Sequence, residues 1–427
     1  MKKLIFSVFL MVTLSLQLFS NEYPHIAVVH TDADNKLIMG VTEKAAANIF
    51  YQMYPDIFDF LIFYTTFNPA MNMQQGMPIQ HPIEGIGREG WSLYAPPGDW
   101  GSAGRLQGAA KMCHIDQYPP FPDDVMPAFM LRGLTSIELL AHEMGHFWHA
   151  AMNFRKEGMA EDHTGLRGWE GLEESAGPNQ HWNSDFASGP SVMYGHDIVD
   201  NEDGTFTYYY DTPRKFGPLD MYVMGLIPPE EMGELFFLCG SSDIENCRQG
   251  SAGMPGAKTQ SPWTRDNWHK HVVTIDDIVR AMGERKPHHN DAQKHFNVGF
   301  IIVNKPGVTP FPEQMEKVER IRVRYEEWWS WATDGKSTIC TRLDGDCSEE
   351  QEEPDDTEYK DDAYEYPDEN TVVPDDEPVA EQPDDNEVVD DTAEFDDSGS
   401  DDKEKETTDD PPYFYDDETG CSCGLIY

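Results

Sequence analysis

The chain has 427 residues, with 78 acidic against 31 basic side chains and a formal net charge of −47 at pH 7. This acidic balance argues against nucleic acid as a partner, because phosphates and carboxylates repel each other. The charge is unevenly distributed: residues 348–420 hold 33 Asp and Glu against 3 Lys, and the rest of the chain is far less acidic. Such a segment cannot bury enough apolar surface to offset its ordering entropy, so we predict a disordered acidic C-terminal tail over residues 348–427.

The first twenty residues have the pattern of a secretory signal peptide. Lys2 and Lys3 precede an apolar run from Leu4 to Phe19, and Ser20 follows. This run is too short for a convincing membrane span, and no later stretch approaches the roughly 20 apolar residues that cross a bilayer. We therefore expect a signal peptide over residues 1–20, a folded domain over residues 21–347, a secreted protein, and no membrane span in the mature chain.

Strands and a helix alternate in the first part of the mature chain. Period-two and apolar patterns predict strands at Ile26–His30, Phe58–Thr66 and Arg105–Ile115. A helix is predicted over Thr42–Tyr54, where helical apolar spacing stops at Pro55. Pro- and Gly-rich loops are expected before the third strand, which we place at a sheet edge. This order predicts α/β layers.

A strong helix signal follows at Thr135, which stands three residues before Glu138. This spacing is a capping box, in which each residue satisfies a backbone N–H at the start of a helix. The apolar residues behind it predict a buried helix from about Thr135 to Phe154.

That helix carries His142, Glu143 and His146 in the order His-Glu-x-x-His. Residues four apart share a helix face, so the two imidazoles converge on one point, where zinc would accept nitrogen at about 2.0–2.1 Å. Glu143 stands beside the first imidazole, in a position to accept a proton from water activated by the metal. The alternative interpretation is a buried helix whose histidines pair with other polar groups.

The remainder of the domain mixes loops with short elements. Residues 155–190 show no clear hydrophobic periodicity, which indicates loops near a functional site. The other predicted elements are a hairpin arm at Thr205–Tyr210, helices at Pro218–Leu226 and Val272–Val279, a strand at Phe300–Val303, and an amphipathic helix at Glu313–Thr333.

Seven cysteines fit an oxidising compartment. Short spacings predict disulfides between Cys239 and Cys247 and between Cys340 and Cys347, which leaves Cys113 as a free, buried thiol. Cys421 and Cys423 do not have the spacing of a zinc site.

The His-Glu-x-x-His helix and the segments after it resemble the zincin metallopeptidases, and among them the metzincins. Metzincins continue the motif as His-x-x-Gly-x-x-His, but here His149 stands at the glycine position and Met152 at the position of the last histidine. Residues 191–195 resemble the Met-turn, which would place Met193 beneath the metal, and residues 216–225 resemble the helix that follows it. A looser resemblance is to secreted bacterial proteins that share the helix, a His-Trp pair, a Ser-Val-Met segment and Leu-Asp-x-Tyr-x-Met-Gly. The resemblance implies a zincin-like, metzincin-like catalytic domain with a mixed sheet, an active-site helix and one zinc ion.

A catalytic zinc ion needs a third protein ligand and an open position for water. The resemblance places that ligand between His146 and Met193, where His181 is the best candidate. Asp220 is the alternative, because some zincins use a carboxylate from a downstream helix. His149 lies about one turn further along the helix and fits an outer contact better than a ligand.

Two tyrosines are candidates for stabilising the oxyanion of a tetrahedral intermediate, Tyr194 in the Met-turn-like segment and Tyr222 in the next helix. Either is also explained as a packed core residue. His163, in a loop after Asp162, is a weaker ligand candidate.

The loop around Asp197, Asp200, Asn201 and Asp203 is rich in oxygen ligands, and calcium binding is one interpretation. The spacing lacks the regular ligands and closing Glu of an EF-hand, so a hairpin turn is favoured. The terminal Gly-Cys-Ser-Cys resembles the start of myxobacterial-type sorting tags, which makes cell-surface attachment an alternative to plain secretion.

These observations predict a secreted zinc-dependent metalloendopeptidase that hydrolyses proteins or peptides, with Glu143 as general base. The alternative is a non-catalytic surface or adhesion protein on a zincin scaffold. A metal-dependent amidase or glycan-modifying hydrolase would share the same site.

Overall fold

The computed structural model describes residues 22–33, 40–70, 72–88, 95–127, 133–169, 178–209, 213–247 and 262–347. The predicted signal peptide and the predicted acidic tail both lie outside these ranges.

The described residues form five α-helices and thirteen strands. The helices are α1 (Val41–Met53), α2 (Ser136–Gly145), α3 (Pro218–Met224), α4 (Ile275–Met282) and α5 (Pro312–Ala332). The strands are β1 (Ile26–His30), β2 (Phe60–Thr65), β3 (Gln75–Pro78), β4 (Gly108–His114), β5 (Arg167–Trp169), β6 (Pro178–Ala187), β7 (Tyr194–Asp200), β8 (Phe206–Tyr209), β9 (Leu235–Cys239), β10 (Trp263–Arg265), β11 (His269–Val273), β12 (His295–Asn304) and β13 (Thr338–Cys340).

The first sheet has the order β1-β12-β2-β4-β3, and β13 also pairs with β12. All of its pairs are parallel except β3 with β4. Successive side chains of a strand point to opposite faces, and β2 shows this directly. Phe60, Ile62 and Tyr64 belong to the core cluster that contains α2 and α5, whereas Leu61 and Phe63 belong to the cluster that contains α1. The sheet is therefore covered by helices on both faces, as parallel sheets require.

The second sheet has the order β10-β8-β7-β6-β9-β11, and β5 also pairs with β6. Only β6 and β7 run parallel; the other pairs are antiparallel. The prediction of an α/β fold with a mixed sheet is confirmed in this form, with two mixed sheets instead of one.

The helix that carries the His-Glu-x-x-His motif is shorter than predicted. Helix α2 starts with the predicted capping box but ends at Gly145, nine residues before Phe154. Beyond it the N–H groups of Phe147 and Trp148 bond carbonyls three residues back, which tightens the last turn. The Trp148 ring is buried among other core aromatic rings, and this packing overrides the weak helical preference of an aromatic segment.

Three other predictions were wrong. Strand β4 lies inside its sheet, because β3 from the supposed loop region pairs with its outer side. Residues 155–190 contain β5 and β6 as well as loops, and Val272 and Val273 belong to β11, so α4 starts only at Ile275. In each case a short strand is specified by its partner strand more than by its own periodicity.

The other predicted elements and both disulfides are present, but β12 begins at His295, five residues before the predicted strand, and β9, β10 and β13 were not predicted. The hairpin is formed by β7 and β8, and α5 buries the predicted apolar face. Cys239 is bonded to Cys247 and Cys340 to Cys347, while Cys113 is a buried free thiol.

Candidate metal centre

Helix α2 and the residue that caps its C-terminus, His146, present the first two imidazoles from buried positions. Thr135 Oγ1 accepts the N–H of Glu138 at 3.2 Å, and Glu138 Oε2 accepts the N–H of Thr135 at 2.8 Å, so the helix start is fixed. The ring centroids of His142 and His146 lie 4.8 Å apart. Because α2 packs against β3, β4 and α5, both rings are held by the protein core.

The third imidazole comes from β6, which brings His181 to the same point. His181 Nε2 lies 3.0 Å from His142 Nε2, and its ring centroid lies 4.9 Å from that of His146. One nitrogen from each of the three rings lies within 4.8 Å of the other two, a separation that suits ligands of a single metal ion. Three imidazoles, from the end of a helix and from a distant strand, thus form a group that could hold a metal ion.

A backbone carbonyl fixes the protonation of the first imidazole. His142 Nδ1 lies 2.7 Å from the carbonyl oxygen of Val192, so Nδ1 carries the proton and donates it. The Nε2 atom then carries the lone pair and faces His181 Nε2, the arrangement that a metal-binding histidine needs. Burial, followed by the neighbouring His181, lowers the pKa of His142 well below its usual value, and burial likewise lowers the pKa of His146. Both imidazoles therefore stay neutral, which is the form that binds metal.

The segment that resembles a Met-turn packs directly beneath α2. The N–H of Met193 donates to Ser191 Oγ at 3.0 Å, which shapes the turn. A Cβ on Gly145 would lie only 2.7 Å from Met193 Sδ, so the methionine occupies the space left by this glycine. Gly145 stands inside the His-Glu-x-x-His motif, and its missing side chain lets the turn approach the helix.

The Asp220 carboxylate binds the polypeptide instead of joining the imidazoles. Its Oδ1 accepts the indole N–H of Trp182 at 2.7 Å, and its Oδ2 accepts the hydroxyl of Ser191 at 2.5 Å and the N–H of Gly217 at 2.8 Å. Trp182 follows His181, and Ser191 precedes Val192, so one buried carboxylate connects both segments that reach the site. The structure brings together the three histidines, with His181 as the third, and leaves out Asp220.

The other two histidine candidates also lie outside the ligand group. His149 Nε2 is 3.2 Å from the carbonyl oxygen of Asp220, so it contacts the network around the site, in line with the outer position predicted for it. His163 pairs through its backbone with Phe154, and its Nδ1 accepts the N–H of Gly165 at 2.9 Å.

The two tyrosines have different surroundings. The Tyr194 ring packs on two imidazoles, with centroids 4.9 Å from His142 and 4.4 Å from His181. Tyr194 adopts φ +73°, a costly conformation for a residue with a side chain, and such strain concentrates at functional sites. Tyr222 lies on α3 beside Val223 and Met224, whose carbonyl oxygens accept hydrogen bonds from the Arg285 guanidinium.

Glu143 is only 2% exposed and lies where α2 meets the first sheet. It borders a narrow space lined by Met77, Met144 and Phe147 among others. A Cβ on Gly76 of β3 would lie 2.1 Å from the Glu143 carbonyl oxygen and 2.6 Å from His146 Cβ. Strand β3 therefore runs in direct contact with the motif.

The acidic loop is a hairpin turn between β7 and β8. Asp200 accepts the N–H of Glu202 and pairs with Lys270, and Asp203 accepts both the N–H and the hydroxyl of Thr205. The carboxylates of Asp200 and Asp203 therefore take part in contacts within the protein.

Sequence reasoning missed two residues that support the site. Val192 acts through its carbonyl oxygen, which leaves no side-chain signal. Arg88 is fully buried and donates to Gln180 Oε1 at 2.7 Å, one residue before His181, and also to the carbonyl oxygen of His149. An arginine in a Gly-rich loop gives no hint of this long-range contact.

No protein-family model, curated protein or solved structure matches this chain. Among the residues that the structure describes, no helix is long and apolar enough to cross a membrane.

Proposed function

We propose that this protein is an extracellular zinc-dependent endopeptidase of the zincin type, with His142, His146 and His181 as metal ligands and Glu143 as general base. The observation that carries the proposal is the convergence of three buried imidazoles with the tautomer of His142 set by Val192. Two disulfides and the N-terminal signal pattern support an extracellular location.

The donor set fits zinc in charge and geometry. Three neutral imidazoles leave a divalent ion with its full charge and one open position. At Zn–N distances of about 2.0–2.1 Å, tetrahedral ligands stand about 3.3 Å apart, close to the 3.0 Å between His142 Nε2 and His181 Nε2. A zinc ion bound there supplies a Lewis acid that lowers the pKa of water toward 7.

The protein groups then divide the work of peptide hydrolysis. Glu143 accepts the proton from the attacking water and passes it to the leaving amine. Val192 keeps the His142 ring oriented throughout, because its carbonyl oxygen holds the Nδ1 proton. The buried surroundings strengthen these electrostatic interactions by keeping bulk water away.

The position of β3 supports an extended peptide as the substrate. This strand stands last in the order of its sheet, and its Gly76 contacts the turn of α2 between the two histidines. A polypeptide that adds to an outer strand gains backbone hydrogen bonds and is aligned along it. A peptide bound to β3 in this way would pass close to Glu143 and His146.

The proposal is tested with Glu143→Gln and the matched variant Glu157→Gln, which changes an exposed glutamate. Cleavage of an unstructured protein and of a mixed fluorogenic peptide set is measured beside zinc content by elemental analysis. We expect Glu143→Gln to retain one zinc ion per chain and to lose turnover by at least about 10²–10⁴-fold, since general acid–base catalysis contributes that much. Proteolysis that persists undiminished in this variant contradicts the assignment.

The burial of the site favours one second candidate, a structural zinc site in a non-catalytic surface protein. His142, Glu143, His146 and His181 are each at most 8% exposed. This candidate predicts stoichiometric zinc in the wild-type protein together with no hydrolysis of any peptide in the set. Removal of zinc by a chelator would then lower the melting temperature without loss of an activity.

A further inference from the structure

A second group of metal-binding side chains lies in the second sheet. Cys239 is the last residue of β9, Cys247 follows a short 3₁₀ turn, and His271 lies on β11, which pairs with β9. One ligand atom from each residue lies within 4.8 Å of the other two, and all three residues are at most 9% exposed. The two cysteines form a disulfide in the structure.

One contact of each sulfur suits a thiolate, whereas the carbonyl oxygens of Ser241 and Asp243, at 3.9 and 3.7 Å from Cys247 Sγ, suit a thiol. Cys247 Sγ lies 3.3 Å from His271 Nε2, and a tetrahedral zinc ion would need about 3.5 Å between sulfur and nitrogen ligands. Cys239 Sγ accepts the N–H of Ser241 at 3.3 Å, a hydrogen bond that favours negative charge on sulfur. His271 Nε2 also lies 2.8 Å from the carbonyl oxygen of Ser241, and a metal would replace the proton in this contact.

The loop between the cysteines has supports that do not depend on the disulfide. Within the loop, the Asp243 carboxylate accepts the N–H of Glu245 at 3.1 Å and the side-chain amide of Asn246 at 2.8 Å. The ring of Phe237 stacks on His163 on one side and on His271 on the other, with centroid distances of 5.9 and 5.4 Å. The loop is therefore expected to keep its shape when the sulfur–sulfur bond opens.

We propose that this loop is a redox-dependent metal site, closed as a disulfide under oxidising conditions and binding Zn²⁺ or another thiophilic divalent ion after reduction. A dithiol supplies two electrons and two protons to the sulfur–sulfur bond, which breaks to give two thiols, while the dithiol becomes a disulfide. The metal then displaces the two thiol protons into solvent and binds Cys239, Cys247 and His271, with a water or a loop carbonyl as the fourth ligand. This site is separate from the three-histidine centre and does not depend on its activity.

The test uses the full chain reduced with a phosphine, with and without added zinc. Each cysteine is alkylated and its reaction rate is read by mass spectrometry, and bound zinc is counted by elemental analysis. We expect one additional zinc ion per chain after reduction and zinc-dependent protection of Cys239 and Cys247. Cys340 and Cys347 form no such group with a histidine among the residues that the structure describes. They serve as internal controls and should react at the same rate with and without zinc.

His271→Asn retains both cysteines and is compared with His288→Asn, which changes an exposed histidine. Mutation of residues that only hydrogen-bond a metal ligand already lowers metal affinity by about 10–100-fold. Loss of a ligand itself should therefore weaken binding by at least about 100-fold. Cobalt substitution adds a sulfur-to-metal absorption band that wild type and His288→Asn should show. The proposal is overturned if reduction adds no zinc, if the extra zinc persists in Cys239→Ser/Cys247→Ser, or if His271→Asn binds it with unchanged affinity.

Discussion

Replacement of Asp220 by asparagine probes how the polypeptide supports the metal centre. The carboxylate is 1% exposed and accepts hydrogen bonds from Trp182, Ser191 and Gly217. The carboxamide of an asparagine offers only one oxygen as acceptor. Suppose that this oxygen accepts the indole N–H of Trp182 and that the hydroxyl of Ser191 turns to accept an N–H of the carboxamide. The backbone N–H of Gly217 then faces the N–H₂ group instead of a carboxylate oxygen and loses its acceptor.

The expected cost follows from these contacts. A hydrogen bond to a charged group contributes about 1.5–3 kcal/mol, and a buried donor without an acceptor costs about 1–3 kcal/mol. We therefore expect Asp220→Asn to lower the free energy of unfolding by about 2–4 kcal/mol. Since Trp182 adjoins His181 and Ser191 adjoins Val192, zinc affinity should also fall by about 10–100-fold, the range for second-layer partners.

The assay measures both quantities in the same protein. Zinc affinity is obtained by competition with a chromophoric chelator, and stability by urea unfolding of the metal-free and metal-bound forms. Asp291→Asn, at an exposed loop position, is the matched control and should change neither quantity. An Asp220→Asn protein that binds zinc as tightly as the wild type would refute the claim that this carboxylate orients the ligands.

Three further predictions concern packing, pH and metal. Gly76→Ala should displace β3 from α2 and weaken zinc binding, because the new Cβ would meet the Glu143 carbonyl oxygen. Gly98→Ala is the control, since Gly98 has open space around it. Equal zinc affinities of the two variants would contradict this packing. Burial, and then Arg88, lowers the pKa of half-buried His81 to about 4, so below pH 6.5 the unfolded chain binds a proton that the folded chain does not. Between about pH 7 and pH 5 the free energy of unfolding, measured by urea titration, should fall by about 1 kcal/mol more in the wild type than in His81→Asn. Parallel pH dependences of the two proteins would exclude this contribution of His81. Zinc at about 100 times its Kd should add about 2.7 kcal/mol to stability, and a melting temperature insensitive to zinc would count against binding.

The sequence alone determined the local parts of the site. The capping box and the spacing of His142 and His146 act within one or two helical turns, so helix geometry places them without reference to the rest of the chain. Short cysteine spacings likewise predicted both disulfides, because short loops bring the sulfurs together at small entropic cost.

Tertiary structure decided what depends on distant segments. His181 and Asp220 were both candidates for a third ligand. The position of His181 beside His142 and His146 follows from β6, which is held by its neighbours in the second sheet and by the hydrogen bond from Trp182 to Asp220. The helix end at Gly145 and the position of β3 also depend on partners far along the chain. Such contacts leave little trace in local periodicity, since a short strand takes its place from the strands and helices it meets.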